Sequence, residues 1–173
     1  MKTIKLFAVV LMVGLLSCNL MSAQPARVIT KKYSNAEIEK MVEANNMVRS
    51  ADVLPTTALS QKFVKDFPQA VDVDWELGAD IYEVDFEINR ADYKAFYNAS
   101  GDLLMYKYDI RTSALPANVK NVVTSKYPDY RFEDTEKVLR GTDVFYKIEI
   151  ERGERDVKLI LKSDGTIVNE YVD

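Results

Sequence analysis

The sequence predicts an α+β fold, a tandem repeat of one helix followed by an antiparallel meander of strands. Two related segments carry the repeat, LPTTALSQKFVKDFP at residues 54–68 and LPANVKNVVTSKYP at residues 115–128. Each begins with Leu-Pro, continues with helical spacing of apolar residues and ends with an aromatic residue before proline. The alternating segments that follow, residues 82–86 and 146–150, also correspond. We expect the repeat helices to lie on one face of the sheet and to leave the other face open.

The repeat divides the chain into four predicted parts. Residues 1–23 are predicted to be a signal peptide, and residues 24–53 a lead-in that contains one helix. The first repeat then covers residues 54–112 and the second covers residues 113–173.

The N-terminus has the pattern of an export signal. Lys2 and Lys5 supply the positive start, and residues 6–16 form an apolar stretch too short to span a bilayer. Cleavage after Ala23 would place a small residue at the cut. Alternatively, residues 15–18 (LLSC) resemble a bacterial lipobox, in which Cys18 would carry a lipid anchor. We therefore expect a periplasmic or secreted protein, with an outer-membrane lipoprotein as the alternative.

Three helices are expected. Residues 34–48 form the first, with Ser34 and Glu37 as a capping box and an apolar face of Ile38, Met41, Val42 and Val48. Pro55 suits the first turn of the next helix, because its missing N–H needs no partner there. The buried stripes of the two repeat helices are predicted to be Leu59, Phe63, Val64 and Phe67 in the first, and Val119, Val123 and Tyr127 in the second.

Strict alternation predicts strands at residues 71–75, 82–88 and 93–97. With turns at residues 77–80 and at Arg90 and Ala91, the inward pairs would be Trp75 with Tyr82, Val73 with Val84, Phe86 with Ala95, and Val84 with Tyr97. On the other face, the same register sets Asp74 against Glu83, Asp72 against Asp85, and Lys94 against Glu87. Like charges directly opposite each other destabilise a sheet.

The composition limits the chemistry. The chain has no histidine, and its one cysteine, Cys18, lies in the predicted leader. The commonest general base and thiolate metal ligands are therefore missing from the predicted mature chain, and we expect neither an enzyme nor a cofactor. The formal net charge of −4, which becomes more negative once Lys2 and Lys5 are removed, disfavours nucleic acid as a partner.

The doubled order of Leu-Pro helix, aromatic-Pro stop, alternating strands and Ser/Asp-Gly turn resembles the PepSY-like family over about residues 54–173. These are envelope proteins related in fold to the beta-lactamase inhibitory protein. The resemblance implies an exported domain with a curved sheet and no established catalytic activity. It also implies binding through the open sheet face, as the inhibitory protein does, but it transfers no functional residue to this chain.

The candidate partner-binding residues lie on the face that we expect to be open. Phe96 and Ile160 occupy matching places in the two repeats, and Phe145 points the same way. Grouped exposed aromatic residues mark contact sites. A charged rim surrounds them, formed by Glu83, Asp85, Lys94, Lys147 and Lys162. In the alternative interpretation, the helix at residues 34–48 crosses this face and buries the apolar residues.

These observations predict a non-catalytic exported binding module that recognises a protein or peptide of the cell envelope through its open sheet face. Inhibition of an envelope enzyme is one form that this role could take. The alternative is a small-ligand or cation-responsive domain that would bind Ca²⁺ through acidic strand residues such as Asp72 and Asp85.

Overall fold

The structure, a computed structural model, describes residues 32–172. The predicted signal peptide, both cleavage alternatives and Cys18 lie outside the described residues. Across residues 32–172 the chain forms three α-helices and nine strands, so the predicted α+β class is confirmed. The helices are α1 (Asn35–Asn46), α2 (Thr57–Asp66) and α3 (Ala117–Lys126), with a short 3-10 turn at Thr112–Ala114.

All nine strands form one antiparallel sheet in which each strand pairs with the next in the chain. Six of the eight connections are short, whereas α2 lies in the connection between β1 and β2, and the 3-10 turn and α3 lie in the one between β5 and β6. The strands are β1 (Ala51–Asp52), β2 (Val71–Leu77), β3 (Ile81–Ile88), β4 (Ala91–Asn98), β5 (Leu103–Asp109), β6 (Arg131–Arg140), β7 (Asp143–Arg152), β8 (Arg155–Lys162) and β9 (Ile167–Val172).

Helix α2 packs on one face of the first strands. Its Thr56 cap accepts a hydrogen bond from the Leu59 amide, and its buried side chains repeat at helical spacing. Phe63 is central, because its ring contacts those of Phe67, Trp75, Phe86 and Tyr97. The prediction that Val64 belongs to the buried stripe is wrong, because its side chain points away from the sheet and is 60 % exposed.

Helix α3 packs in the same way against the second group of strands. Val119 and Val123 of α3 are buried with Ile148 and Leu159, which are fully buried strand residues. Tyr127 ends the helix, and its hydroxyl donates to Glu170 of β9 at 2.6 Å. The alternating apolar residues of these strands therefore face α3.

Helix α1 covers part of the opposite face, which corrects the expectation of an open face. Its capping box of Ser34 and Glu37 is present as predicted. Ile38 and Val42 are buried in a cluster with Phe96 and Phe145. Because side chains alternate along a strand, these two aromatic residues point away from α2 and α3. The apolar stripe of α1 supplies the cover that keeps them from water.

Two asparagines at the ends of α1 fit against glycines in strand turns. Asn35 donates to Asp143 in the β6–β7 hairpin, where its amide lies close to Gly141. At the other end, the buried Asn45 accepts from the Ala79 amide at 3.1 Å. A Cβ at Gly78 would lie only 2.1 Å from the Asn45 side-chain oxygen. The absence of a side chain at Gly78 is therefore a condition for this packing.

We expect Gly78→Ala to lower the free energy of unfolding by about 1–3 kcal/mol, because the added methyl group overpacks the contact with Asn45. Chemical denaturation of Gly78→Ala, of Asn45→Ala and of the double variant measures the effect. In a chain that already carries Asn45→Ala, the same glycine change should cost little, since the clashing amide is gone. An equal cost in both backgrounds would show that the clash is not the cause.

The β3–β4 register differs from the prediction by two residues. The turn consists of Asn89 and Arg90, both with positive φ, 54° and 66°. This is the geometry of a two-residue hairpin with the favoured twist. Ile88 therefore pairs with Ala91 and Phe86 with Tyr93. The predicted turn at Arg90 and Ala91 was one residue too far along, but every side chain keeps its predicted face.

The β2–β3 pairing is also wrong in detail, because β2 contains an irregularity between Val71 and Asp74. Asp72 has a φ of 51° there, and the register shifts. Val73, predicted to be inward, is 37 % exposed. The observed pairs are Trp75 with Val84, Leu77 with Tyr82, and Asp74 with Asp85. The bulge thus moves the start of this strand out of the core.

Candidate functional site

A cleft lies beside the C-terminal half of α1, on the sheet face opposite α2 and α3. Its volume is about 310 Å³. Val42 and Asn46 of α1 form one wall, and the sheet forms the floor. We call it the α1 cleft; its sheet residues are Glu83, Lys94, Phe96, Met105, Lys107, Glu136, Val138, Arg140, Phe145, Lys147 and Ile160.

Six of the eight predicted binding residues line this cleft: Glu83, Lys94, Phe96, Phe145, Lys147 and Ile160. Asp85 lies next to it, since its carboxylate is 3.3 Å from the Lys94 ammonium. Lys162 is exposed on β8, directly opposite Phe145. The sequence therefore grouped these residues correctly on one face.

The prediction that Phe96 and Phe145 are exposed is wrong. Phe96 is 3 % and Phe145 6 % exposed, because α1 and neighbouring strand residues cover them. Ile160 is partly buried at the margin of the same cluster. Phe96 and Phe145 therefore form the floor of the cleft and leave its contact surface to the residues around them.

Sequence reasoning missed Met105, Lys107, Glu136, Val138 and Arg140. A signal for the first two is present in the sequence: Tyr106 and Tyr108 alternate with Met105 and Lys107, so the two pairs must face opposite sides of their strand. No comparable alternation marks β6, whose sequence RFEDTEKVLR mixes charged and apolar residues on both faces. Its pairing with β7 is also irregular between Phe132 and Asp134.

Glu136 is the most buried carboxylate of the cleft, and two lysines share it. The ammonium groups of Lys107 and Lys147 donate to its two oxygens at 2.7 and 2.9 Å. Burial acts to raise the pKa of Glu136, but the hydrogen bonds from the two lysines outweigh it and hold the pKa below its usual range. Glu136 is therefore ionised at neutral pH and fixes both lysines at the cleft.

A second charged group lies at the β3–β4 side. Lys94 donates to Glu83 and is also near Asp85. Burial acts to lower the pKa of Lys94, but the Glu83 hydrogen bond and the charges of both carboxylates outweigh it, so the pKa is raised. Lys94 also offsets the like-charge pairing of Asp74 with Asp85.

Arg140 lies between α1 and the floor. Its guanidinium is 2.9 Å from Glu39 of α1 and stands over the Phe145 ring at 5.1 Å from the centroid. The Nε atom is buried without a hydrogen-bond partner. A buried N–H that lacks an acceptor is unfavourable.

The pKa of Glu136 is lowered, whereas a general acid that works at neutral pH needs a raised pKa. Two described carboxyl groups elsewhere do have a raised pKa. Burial raises that of Asp66, whose carboxylate accepts from the Tyr97 hydroxyl at 3.1 Å. Burial and the neighbouring carboxylates Asp134, Glu136 and Asp92 raise that of Asp109. Neither residue lines the α1 cleft.

Metal ligands are not grouped in the described part of the chain. Among residues 32–172, no set of three or more His, Cys, Asp or Glu side chains is placed to hold a metal ion. Asp72 lies at the exposed irregularity of β2, which separates it from the predicted pairing with Asp85. Residues 32–172 therefore provide no set of ligands for the alternative prediction, a domain that binds Ca²⁺.

No helix within residues 32–172 is long and apolar enough to cross a membrane.

One antiparallel sheet with helices packed on both of its faces defines an α+β protein. Residues 80–169 match the family described as "Putative beta-lactamase-inhibitor-like, PepSY-like". This match spans more than half of the sequence, so the chain belongs to the PepSY-like family.

Solved structures share the fold. A BLIP-like protein from Bacteroides fragilis superposes with a TM-score of 0.62 at 19% identity, covering 69% of this chain and 87% of that one. A DUF2874 family protein from Bacteroides uniformis superposes with a TM-score of 0.62 at 17% sequence identity, covering 69% of this chain and 90% of that one. A "putative periplasmic" protein from Bacteroides eggerthii superposes with a TM-score of 0.63 at 16% sequence identity, covering 69% of this chain and 90% of that one. A search of curated proteins finds no significant match.

Proposed function

We propose that this protein is a non-catalytic exported binding module that recognises a protein or peptide of the cell envelope. The observation that carries the proposal is the α1 cleft, a concave site with an apolar floor and a charged rim on the face opposite α2 and α3. Protein interfaces commonly place an apolar centre within a polar rim. The inhibitor-like fold of the family agrees with this role.

The proposed contact surface differs from the one that the sequence predicted. Phe96 and Phe145 support it from below, because they are buried. The rim provides the contacts, through Glu83, Asp85, Lys94, Lys147, Ile160 and Lys162. Charges at a rim contribute to the association rate and to selectivity, and a central apolar contact contributes most of the affinity.

The location of the protein is part of this proposal. The pattern of residues 1–23 supports export, and Cys18 offers a lipid anchor as the alternative. The similar protein from Bacteroides eggerthii, described as putative periplasmic, is consistent with a periplasmic location.

We also propose that residues 54–112 and 113–173 are two copies of one unit. Each has a helix with an apolar stripe that joins an apolar cluster of its own strands.

Site-specific photo-crosslinking tests the binding role. A photoreactive residue at Asp85 or Lys162 should give a crosslinked envelope protein in the producing cells, because both side chains lie at the rim. The matched control is the same residue at Lys65 or Lys120, which are exposed on α2 and α3. If crosslinks appear only from the helices, or from no position, the proposed face is wrong.

If a partner is captured and is an enzyme, its activity should be measured with increasing amounts of this protein. A dose-dependent loss supports inhibition. Stable binding without any change of activity restricts the role to recognition.

A further inference from the structure

We propose that α1 is a movable cover, and that its displacement from the sheet opens the floor of the α1 cleft to the partner. This inference rests on the proposed function, because it concerns how access to the same site is controlled. The structure shows the closed form, in which α1 lies against the sheet. The closed form is the one with the lower affinity for the partner.

The floor of the cleft and the surface beneath α1 consist of the same side chains. Four residues line the cleft and also belong to the buried cluster that α1 packs against: Phe96, Met105, Val138 and Phe145. Val42 of α1 belongs to that cluster and forms part of the cleft wall. The cleft is therefore the part of one continuous apolar surface that α1 leaves uncovered. A shift of α1 away from the sheet uncovers more of this surface and widens the cleft.

The attachment of α1 to the sheet differs from that of the other two helices. Within residues 32–172, α2 and α3 each have a strand on either side of them in the chain, whereas α1 has one only after it. The link to that strand is exposed at Met47, Val48 and Arg49. Strand β1 itself pairs with β2 through only two residues. The helix can therefore swing away from the sheet without breaking the ladders of β2 to β9.

Two polar contacts of α1 lie where water can replace them. Asn35 donates to Asp143 at an exposed position of the β6–β7 hairpin. The Glu39 carboxylate, which pairs with Arg140, is 42 % exposed, and exposed ion pairs contribute little to stability. Opening also gives water access to the Nε atom of Arg140, which is buried without a partner in the closed form. These contacts therefore oppose opening only weakly.

A buried contact at the C-terminal end of α1 allows the cover to be locked. The Asn45 amide carbon lies 2.6 Å from the position of a Cβ at Gly78. The Cβ of Asn45 is bonded to that carbon, so cysteines at these two positions would have Cβ atoms within about 4 Å, as a disulfide requires. The φ of Gly78 is not positive, so a side chain can be placed there. The predicted mature chain lacks Cys18, so Asn45→Cys/Gly78→Cys forms one defined bond.

Hydrogen exchange followed by mass spectrometry tests the cover without any partner. We expect the amides of α1 to exchange at least a hundredfold faster than those of α2 and α3, because α1 opens while the sheet stays folded. Oxidation of Asn45→Cys/Gly78→Cys should slow the exchange of α1 at least tenfold. It should also lower the fluorescence of bound Nile red, an uncharged apolar dye. Asn45→Ser/Gly78→Ser cannot form the bond and is the matched control.

Two helix caps provide a change in the opposite direction. Ser34 caps α1 by accepting a hydrogen bond from the Glu37 amide. Because loss of a cap weakens a helix, Ser34→Ala should speed the exchange of α1 about fivefold and increase the binding of Nile red. Thr56→Ala removes the corresponding cap of α2 and should leave the exchange of α1 unchanged.

Capture of the partner separates this inference from the proposed function. With the photoreactive residue at Lys162, Asn45→Cys/Gly78→Cys should capture at most a fifth of the partner that Asn45→Ser/Gly78→Ser captures, because the lock removes the state that binds better. Unchanged or higher capture by the locked chain supports the proposed function and overturns the cover.

The exchange experiment can overturn the inference by itself. If α1 exchanges no faster than α2 and α3, or if oxidation leaves its exchange unchanged, α1 is a fixed part of the packing and the inference fails. If neither variant captures a partner, the proposed function is overturned. The exchange and dye results then decide whether α1 is a movable cover.

Discussion

Phe63→Ala is expected to lower the free energy of unfolding by about 3–5 kcal/mol, as for other large-to-small changes of a buried phenylalanine. Phe63 is 4 % exposed and lies at the centre of the aromatic cluster beneath α2. Its ring meets Trp75 at 5.3 Å and Phe86 at 5.0 Å between centroids, both edge to face. Truncation removes these contacts and leaves a cavity that the rigid strands cannot close.

Urea denaturation followed by tryptophan fluorescence measures this loss, because Trp75 is the only tryptophan and contacts Phe63. Val64→Ala on the same helix is the control. Val64 is exposed, so its change should remain within about 0.5 kcal/mol. Comparable losses for both variants would contradict the orientation of α2 described above.

Phe145→Ala is expected to cost about 3–5 kcal/mol as well, since Phe145 is a core residue beneath α1. The sequence analysis placed Phe145 among the exposed contact residues of the open face, and truncation of an exposed side chain usually costs little stability. The structure reverses that expectation: the ring lies among Phe96, Val138 and the side chains of α1, and it carries the Arg140 guanidinium over its face. Its loss would also loosen α1.

The control is Lys162→Met at the position paired with Phe145 across β7 and β8. Lys162 is exposed, so unfolding should change little while partner affinity falls. Circular dichroism in urea gives the stability, and crosslinking yield at Asp85 gives the binding. A stable Phe145→Ala protein with lost binding would restore the original interpretation of an exposed aromatic contact.

The capping box and the apolar spacing around it identified α1 from residues 34–48, and the Leu-Pro starts and aromatic-Pro ends located α2 and α3 within two or three residues. These signals are local, because a cap, a proline and a helical stripe act within one or two turns. Alternation likewise identified the face of Phe96 and Phe145 from Ala95, Tyr97 and Tyr146.

The candidate site was predictable as a set of residues on one face but not as a cleft. Its depth depends on where α1 docks, and that is decided by contacts distant in sequence, such as Asn45 against Gly78 and Asn35 against Asp143. Lys107 and Glu136 were missed because their ion pair joins strands separated by the whole of α3. Register errors at Asn89–Arg90 and Asp72 arose because positive φ values there are not dictated by residue type alone.

The sequence by itself determined the α+β class, the meander of strands and the face to which each side chain of the central strands points, because helical and strand periodicities are local properties of the chain. Tertiary structure alone decided that α1 closes over the far face and turns two predicted surface aromatics into a floor. The physical reason is that the apolar stripe of α1 and the apolar patch around Phe96 and Phe145 each require burial, and only the folded chain brings them together.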